Sequence, residues 1–320
     1  MPESASLAPA WVAGDPAAAR WIPPGPARRR AIEFFTTQLR NPNTRRSYRT
    51  ALESLARWSG GQGLQFDELA PVHIAAYLED SGRRHAAPTV KQRLAAIRMF
   101  YDWLVLGQCV AQNPAAAVRG PKHVVRQGKT PVLTAAEARQ LLESIPGDTL
   151  DGIRDRAIVA VLLFSCARVG AVTRMAAGDF FRQDGRWWFR LGEKGGKYHE
   201  APAHSRAVEL LRSWIEQAEI DSGPLFRTFR RARGALQVTE RAPHPNDIRR
   251  MLQRRARAAG LETAVTCHTF RATGITIFLE NGGTLERAQA LAGHESPRTT
   301  QLYDRTRQRL AAQEIEKIVI

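Results

Sequence analysis

The sequence contains little cysteine and no long hydrophobic run. Its three cysteines, Cys109, Cys166 and Cys267, lie far apart without a Cys-x-x-Cys pair, which argues against a disulfide framework or a zinc knuckle. The longest strongly apolar run, residues 158–164, is far shorter than the roughly 20 residues that a membrane-spanning helix needs. The N-terminus shows no basic stretch followed by an apolar segment. We therefore predict a cytoplasmic protein without a membrane partner.

Acidic residues are scarce relative to basic ones. The 320 residues include 47 Lys and Arg but 31 Asp and Glu, which gives a formal net charge of +16. Each phosphate that Lys or Arg neutralises releases a condensed counterion, so this surplus favours a polyanionic partner. No Asp or Glu cluster suggests a pair of Mg²⁺ ions, and the sequence predicts no metal and no cofactor.

Composition and hydrophobic spacing divide the N-terminal part of the chain into three segments. Residues 1–27 are rich in Ala and Pro without periodicity, which predicts a flexible arm. Residues 28–112 carry apolar side chains at helical spacing, which predicts a small all-helical domain. Residues 113–131 are rich in Pro, Gly and basic residues, which predicts an exposed linker.

The segment 132–307 predicts a second domain with both helices and strands. Residues 153–164 are apolar nearly all round, as in a buried central helix. Residues 187–191 and 198–202 are typical of strands, and Gly195-Gly196 between them predicts a two-residue hairpin turn. Further helices are predicted from Ser205, Asn246, Thr269, Thr284 and Ser296.

Four short segments carry side chains suited to phosphate chemistry. They are residues 166–170, 193–197, 268–271 and 291–304, with the sequences CARVG, EKGGK, HTFR and LAGHESPRTTQLYD. His268 and Arg271 are three residues apart at a predicted helix start. Both can therefore reach one anion beside the positive end of the helix dipole.

Taken singly, each candidate residue also has an ordinary structural role. An arginine can satisfy the carbonyls at a helix end, a histidine can bond the backbone, a tyrosine can fill a core, and a lysine can sit at a solvated hairpin tip. Only their joint pattern is informative. The candidates, in chain order, are Arg168, Lys194, His268, Arg271, His294 and Tyr303.

In this order on a basic chain, the six residues resemble the motif of the tyrosine recombinase (phage integrase) family. The resemblance covers nearly the whole chain, with 31–110 similar to the family's SAM-like core-binding domain and 132–307 to its catalytic domain. It implies a mainly α fold, in which an all-helical N-terminal domain precedes an α+β catalytic domain with a small antiparallel sheet. It implies a site-specific DNA recombinase that integrates, excises or resolves DNA through a 3′-phosphotyrosyl intermediate, without metal or ATP.

The resemblance also implies which residues handle the phosphate. Arg168 and Arg271 would bind the scissile phosphate, His294 would hydrogen-bond it, and Tyr303 would be the nucleophile. These residue types suit the task, because guanidinium groups grip phosphate oxygens in a bidentate manner and stay protonated. A tyrosine with an ordinary pKa needs a nearby base and cationic surroundings.

Two further positions would move protons. His268 is placed to accept the proton of the nucleophile, and Lys194 would donate one to the leaving 5′ oxygen. Lys197 is the alternative to Lys194, because a small shift in register would exchange them.

The sequence departs from the family pattern behind the first arginine. The family often has an acidic residue three positions after it, where this chain has Ala171, although Asp179 does match the family. The group that supports Arg168 is therefore not identified. His199 has no assigned role, and a structural strand histidine is the simplest interpretation.

Partners follow from the basic faces and from the C-terminal tail. The tail, residues 308–320, ends in apolar side chains, and the resemblance suggests that it docks on a neighbouring protomer in a tetramer on two DNA duplexes. It can instead pack on its own domain. A double-stranded recombination site is the expected substrate, with a partner recombinase or accessory protein left open. The residues expected to contact DNA are Thr44, Arg45, Arg46, Lys91, Arg93 and Arg98.

Three other functions share some of these features. A type IB topoisomerase-like enzyme would perform the same first chemical step on one duplex. An accessory DNA-binding protein would have lost catalysis, although all six expected residue types are present. A metal-dependent nuclease would lose activity in EDTA.

Overall fold

The computed structural model describes residues 21–123, 128–193, 196–232 and 234–304. The chain forms two compact units, Met1–Val124 and Val125–Ile320, and their boundary falls within the segment predicted as a linker. The predicted tail, the first twenty residues of the predicted arm, Lys194 and Gly195 lie outside the described residues.

The first unit is built from helices. They are α1 (Pro26–Glu33), continued by a π-helical turn (Phe34–Gln38), α2 (Pro42–Gly61), α3 (Pro71–Arg84) and α4 (Ala87–Leu106). Every one of these α-helices has a proline in its first turn, where the missing N–H costs nothing and the fixed φ suits a helix. Aromatic side chains fill the centre, with Phe100 edge-on to Phe34 at 5.3 Å between ring centroids.

Two predictions at the borders of this unit are wrong. Trp21 and Ile22, assigned to the flexible arm, are buried in the core, where the Trp21 ring stacks on Phe100. Ala115 and Val118, assigned to the exposed linker, are also buried there. Isolated apolar residues in a Pro-rich stretch give no periodic signal, so their burial depends on the helices beneath them.

The second unit contains helices and short antiparallel strands. Its helices are α5 (Ala135–Ser144), α6 (Leu150–Phe164), α7 (Val169–Val172), α8 (Ser205–Gln217), α9 (Pro245–Ala258), α10 (Cys267–Glu280), α11 (Leu285–Ala292) and α12 (Pro297–Gln301), with a 3₁₀ turn at Ala177–Asp179. Its strands are β1 (Phe180–Gln183), β2 (Arg186–Gly192), β3 (Tyr198–Pro202), β4 (Phe229–Ala232) and β5 (Ala235–Val238). The first three form one sheet in the order β1-β2-β3, and β4 pairs with β5.

Helix α6 lies at the centre of this unit. Its apolar residues from Ala157 to Leu163 are all buried, as the sequence predicts. Helix α10 crosses it at Gly274, where a Cβ atom would collide with the carbonyl oxygen of Leu163. This close approach brings the N-terminal half of α10 against the segment that follows α6.

The β2–β3 connection differs from the predicted turn. The strand ladder ends at the Gly192–Tyr198 pair, and the amide of Glu193 donates to the carbonyl of Lys197 at 2.7 Å. The connection is thus five residues, 193–197, rather than the two at Gly195-Gly196. The diglycine signal gives the place of the turn but not its length.

The predicted fold class is confirmed: the chain is mainly helical with small antiparallel sheets. The sequence did not predict β1 or the β4–β5 pair. These strands have four residues each, too few for a clear alternation of buried and exposed positions.

Candidate active site

Three helix boundaries in the second unit bring the candidate side chains together. Arg168 immediately precedes α7. The loop between α6 and Arg168 turns at Cys166, whose φ is 52°. Thr266 caps α10 by accepting the amide of Thr269, so α10 begins at Cys267 instead of the predicted Thr269. Helix α11 ends at Ala292, and the next residue, Gly293, has a φ of 59° that turns the chain into His294.

Arg271 is buried inside this arrangement, with 2% of its surface exposed. Its Nη1 and Nη2 atoms donate to the carbonyl oxygens of Cys166 and Ala292, both at 2.6 Å. Its Nε donates to Nε2 of His294 at 3.3 Å. The guanidinium therefore joins the loop after α6 to the turn after α11. Burial lowers the pKa of Arg271, and the positive charge of Arg168 lowers it further.

His294 is buried and bonded on both sides of its ring. Its Nδ1 lies 2.8 Å from the hydroxyl oxygen of Thr300 in α12, opposite the contact with Arg271. Burial, together with the positive charges of Arg271 and Arg168, lowers the pKa of His294 to about 4. The imidazole is thus neutral at neutral pH.

Tyr303 lies against His294. The two rings are nearly parallel, with 10° between their planes and 5.8 Å between their centroids. The Tyr303 backbone carbonyl accepts from the Thr276 hydroxyl of α10 at 3.2 Å, which ties the end of α12 to the helix that carries Arg271. Tyr303 is half-buried and also packs against a small buried cluster that includes Ile275 and Ala292.

Arg168 is the more exposed of the two arginines, with 42% of its side chain accessible. It forms an ion pair with Glu193, whose side chain is only 12% exposed. Sequence reasoning missed Glu193, because the expected support was three residues after Arg168. That position, Ala171, is buried in the core instead, and Asp179 caps its own turn by accepting the amide of Ala176 at 2.9 Å.

His268 lies at the surface one helical turn before Arg271. Loss of hydration lowers its pKa, and the positive charges of Arg271 and Arg168 lower it further. A histidine with a lowered pKa is neutral at neutral pH and can accept a proton.

The β2–β3 hairpin reaches the same turn. Lys194 lies outside the described residues, while Lys197 is exposed, with its Nζ 3.5 Å from an oxygen of Glu295. His199 has a structural contact, since its Nε2 is 3.1 Å from the carbonyl oxygen of Leu291 near the end of α11. His199 thus fastens the hairpin to the turn that carries His294.

The residues expected to contact DNA fall into two groups in the first unit. Arg45 donates from two nitrogens to the carbonyl of Leu39, and Arg98 donates to the carbonyls of Ala115 and Val118. Arg93 donates to the Ser81 hydroxyl at 2.9 Å and lies 2.9 Å from the His85 ring. Arg46 and Lys91 are exposed, and Thr44 is half-exposed.

Two features are absent from the described residues. None of their helices is both long and apolar enough to span a membrane. Within the described ranges, no three or more His, Cys, Asp and Glu side chains are grouped so that they could hold a metal ion.

Comparison with protein families and curated proteins gives consistent matches. Residues 131–309 match the model described as the phage integrase family, and residues 34–108 match the phage integrase N-terminal SAM-like domain. The chain is 32% identical to tyrosine recombinase XerC of Xanthomonas campestris pv. campestris (strain B100) over 284 residues, covering 85% of this chain and 83% of that protein. It is 28% identical to tyrosine recombinase XerC of Proteus mirabilis, covering 85% and 88%.

Solved structures share the fold at lower identity. The XerH site-specific recombinase bound to a palindromic difH substrate, in a post-cleavage complex, is 16% identical with a TM-score of 0.69, covering 99% of this chain and 92% of that chain. A lambda integrase tetramer bound to a Holliday junction is 19% identical with a TM-score of 0.62, covering 85% and 77%.

Proposed function

Because the chain belongs to the phage integrase family of tyrosine recombinases and is a site-specific recombinase, we propose that Tyr303 attacks DNA and forms a 3′-phosphotyrosyl intermediate. The observation that carries this proposal is the stack of Tyr303 on His294, which is itself bonded to Arg271. It puts a half-buried phenol beside buried positive charge, which can stabilise the negative charge that develops on an attacked phosphate.

The reaction exchanges one phosphodiester linkage for another. The Tyr303 oxygen forms a bond to phosphorus, and the bond from phosphorus to the 5′ oxygen breaks. Arg271 supports the non-bridging oxygens with the N–H groups that remain on its two Nη atoms, while Arg168 approaches from the exposed side. Reversal of the same step by another 5′ hydroxyl rejoins the strand, so the bond energy is kept and no ATP is consumed.

Proton transfer completes the step. His268, neutral and at the surface beside Arg271, accepts the phenolic proton. The leaving 5′ oxygen takes a proton from Lys194 or from its alternative Lys197 on the β2–β3 hairpin.

The substrate is a double-stranded recombination site, and the working assembly is a tetramer on two duplexes. A cavity of about 530 Å³ beside α6 and α10 supports the assembly. Its apolar lining includes Phe164, Ile277, Phe278 and Leu291, which suits the apolar residues of the tail, 308–320, from a neighbouring protomer. A DNA substrate also favours the cytoplasmic location predicted from the sequence.

A nicked suicide substrate tests this function. DNA flanking the gene supplies the candidate site, and a nick next to the cleavage position lets the cut strand diffuse away, which traps the covalent adduct. Wild type should give a protein–DNA band on a denaturing gel in the presence of EDTA. Tyr303→Phe keeps the ring and its stack on His294, so this variant should bind the site but give no band.

Each other outcome points to a different function. Cleavage that EDTA abolishes would indicate a metal-dependent nuclease. An adduct without exchange between two duplexes would indicate a topoisomerase-like enzyme. Specific binding without an adduct, even after a partner recombinase is added in cell extract, would indicate an accessory protein.

A further inference from the structure

The pairing of Arg168 with Glu193 links two parts of the proposed site. Arg168 stands at the N-terminus of α7, and Glu193 is the first residue after β2. A second hydrogen bond lies nearby, because Nη2 of Arg174, two residues after α7, donates to the carbonyl of Gly192 at the end of β2 at 2.8 Å. The base of the β2–β3 hairpin is therefore fixed against α7.

The carboxylate of Glu193 also lies close to the turn that carries His294. Its Oε1 is 3.7 Å from the position that a Cβ would occupy at Gly293. Glu193 thus stands between the guanidinium of Arg168 and the turn after α11. Its side chain is largely shielded from water, while that of Arg168 keeps an exposed face.

The charges of the site explain why a carboxylate is needed there. Arg168 and Arg271 repel each other: burial lowers the pKa of Arg271 most, and the positive charge of Arg168 lowers it further. Glu193 acts in the opposite direction and raises the pKa of Arg271. A half-exposed guanidinium near another one would otherwise turn towards solvent, since its long side chain has many rotamers.

We propose that Glu193 is a positioning residue, which holds Arg168 with its exposed face towards the scissile phosphate. Glu193 would thus take over the supporting role of the acidic residue that the family often has three positions after the first arginine, where this chain has Ala171. The proposal rests on the proposed function, because it assigns Arg168 to the phosphate. Glu193 itself does not touch the DNA, and it acts only through Arg168.

A double-mutant cycle tests this coupling in the full chain. The variants are Glu193→Gln, Arg168→Ala and the double variant, with single-turnover cleavage of the nicked substrate and DNA affinity as the two measurements. We expect Glu193→Gln to lower the cleavage rate constant about 10- to 100-fold, since a misplaced group typically costs this much. DNA affinity should change less than about 2-fold. In the Arg168→Ala background, Glu193→Gln should have almost no further effect.

Matched controls separate positioning from general damage. Glu200→Gln removes another carboxylate paired with an arginine, Arg190, in the same sheet but away from the site, and it should cleave at the wild-type rate. Glu193→Asp keeps the charge on a shorter side chain and should recover part of the lost rate. Thermal unfolding of every variant checks that the fold is intact.

Three results would overturn the proposal. The first is an equal loss of rate from Glu193→Gln with and without Arg168. The second is a faster or tighter-binding Glu193→Gln variant, which would make Glu193 a competitor of the phosphate. The third is a rate like that of wild type. Failure of the proposed function is recognised separately, because wild type itself would then give no adduct on Tyr303.

Discussion

His294 accepts a hydrogen bond from Arg271 at Nε2 and lies 2.8 Å from the hydroxyl of Thr300 at Nδ1. An arginine can only donate, so Nε2 must carry the lone pair and Nδ1 the proton. The geometry thus fixes the neutral ring and its tautomer. Protonation of Nε2 would place a second positive hydrogen against the guanidinium.

This contact predicts a loss of stability in mild acid. The pKa of His294 is about 4 in the folded chain and 6.5 when unfolded, so the unfolded state binds more protons between these values. The contribution of this group to stability is complete above about pH 6.5 and is lost as the pH falls towards 4, which amounts to about 3 kcal/mol. The pKa values of His268 and His204 are also lowered and add a change of the same sign.

Urea unfolding at several pH values measures the effect. His294→Gln removes the titrating ring, so its unfolding free energy should fall less steeply over this range than that of wild type. Parallel curves for the two proteins would show that His294 titrates normally in the fold.

The two arginines should respond differently to removal. Arg168→Ala deletes a side chain that is 42% exposed but leaves the shielded Glu193 without this ion pair, so the unfolding temperature should fall only slightly while cleavage falls about 100-fold or more. Arg271→Ala leaves the carbonyls of Cys166 and Ala292 without their donor in a buried place. That costs about 1–3 kcal/mol for each unsatisfied group.

Thermal unfolding and cleavage assays on both variants check this difference. Arg271→Ala should therefore lose both cleavage and several degrees of unfolding temperature. An Arg271→Ala protein as stable as wild type would contradict the structural half of this argument.

The sequence predicted the residues of the candidate site, but it did not predict the residues that hold them in place. Arg168, His268, Arg271, His294 and Tyr303 come from distant segments of the chain, and the resemblance of their ordered pattern to the family motif singles them out. The structure brings these five into one region. Their catalytic roles stay a prediction until cleavage is measured.

Contacts between distant segments could not be read from the sequence. Glu193 meets Arg168 only because α7 packs beside the end of β2. Asp155 has no exposed surface and binds the guanidinium groups of Arg154 and Arg255 at 2.8 Å, yet it lies within a run that predicts an apolar helix. One carboxylate does not change the period of a helix, and its partner arginine is 100 residues away.

The basic residues of the first unit should fall into two classes: exposed side chains that bind DNA, and side chains whose hydrogen bonds to the backbone stabilise the fold. Arg46 and Lys91 are exposed, so Arg46→Ala and Lys91→Ala should each weaken DNA binding without changing the unfolding temperature. If each contacts one phosphate, the slope of log K against log salt should become shallower by about one. Arg45→Ala and Arg98→Ala remove donors to backbone carbonyls and should lower the unfolding temperature.

Salt titration of DNA affinity beside thermal unfolding tests this division. An unchanged salt slope for both Arg46→Ala and Lys91→Ala would contradict the assignment of this face to DNA. If Arg45→Ala and Arg98→Ala were as stable as wild type and had a shallower slope of log K against log salt, those two arginines would contact DNA phosphates instead.

The cysteines should differ in reactivity according to burial. Cys166 is 1% exposed, and burial raises the pKa of its thiol to about 12, so almost no thiolate exists to react. Cys109 and Cys267 are half-buried, and burial also raises the pKa of Cys267. With iodoacetamide at pH 8, Cys109 should be modified first, Cys267 more slowly, and Cys166 only in denaturant. Peptide mass spectrometry at successive times measures the modification of all three cysteines in one sample. If Cys166 reacted in the native protein as fast as Cys267, the prediction would be wrong, and the loop beside Arg271 would be open to solvent.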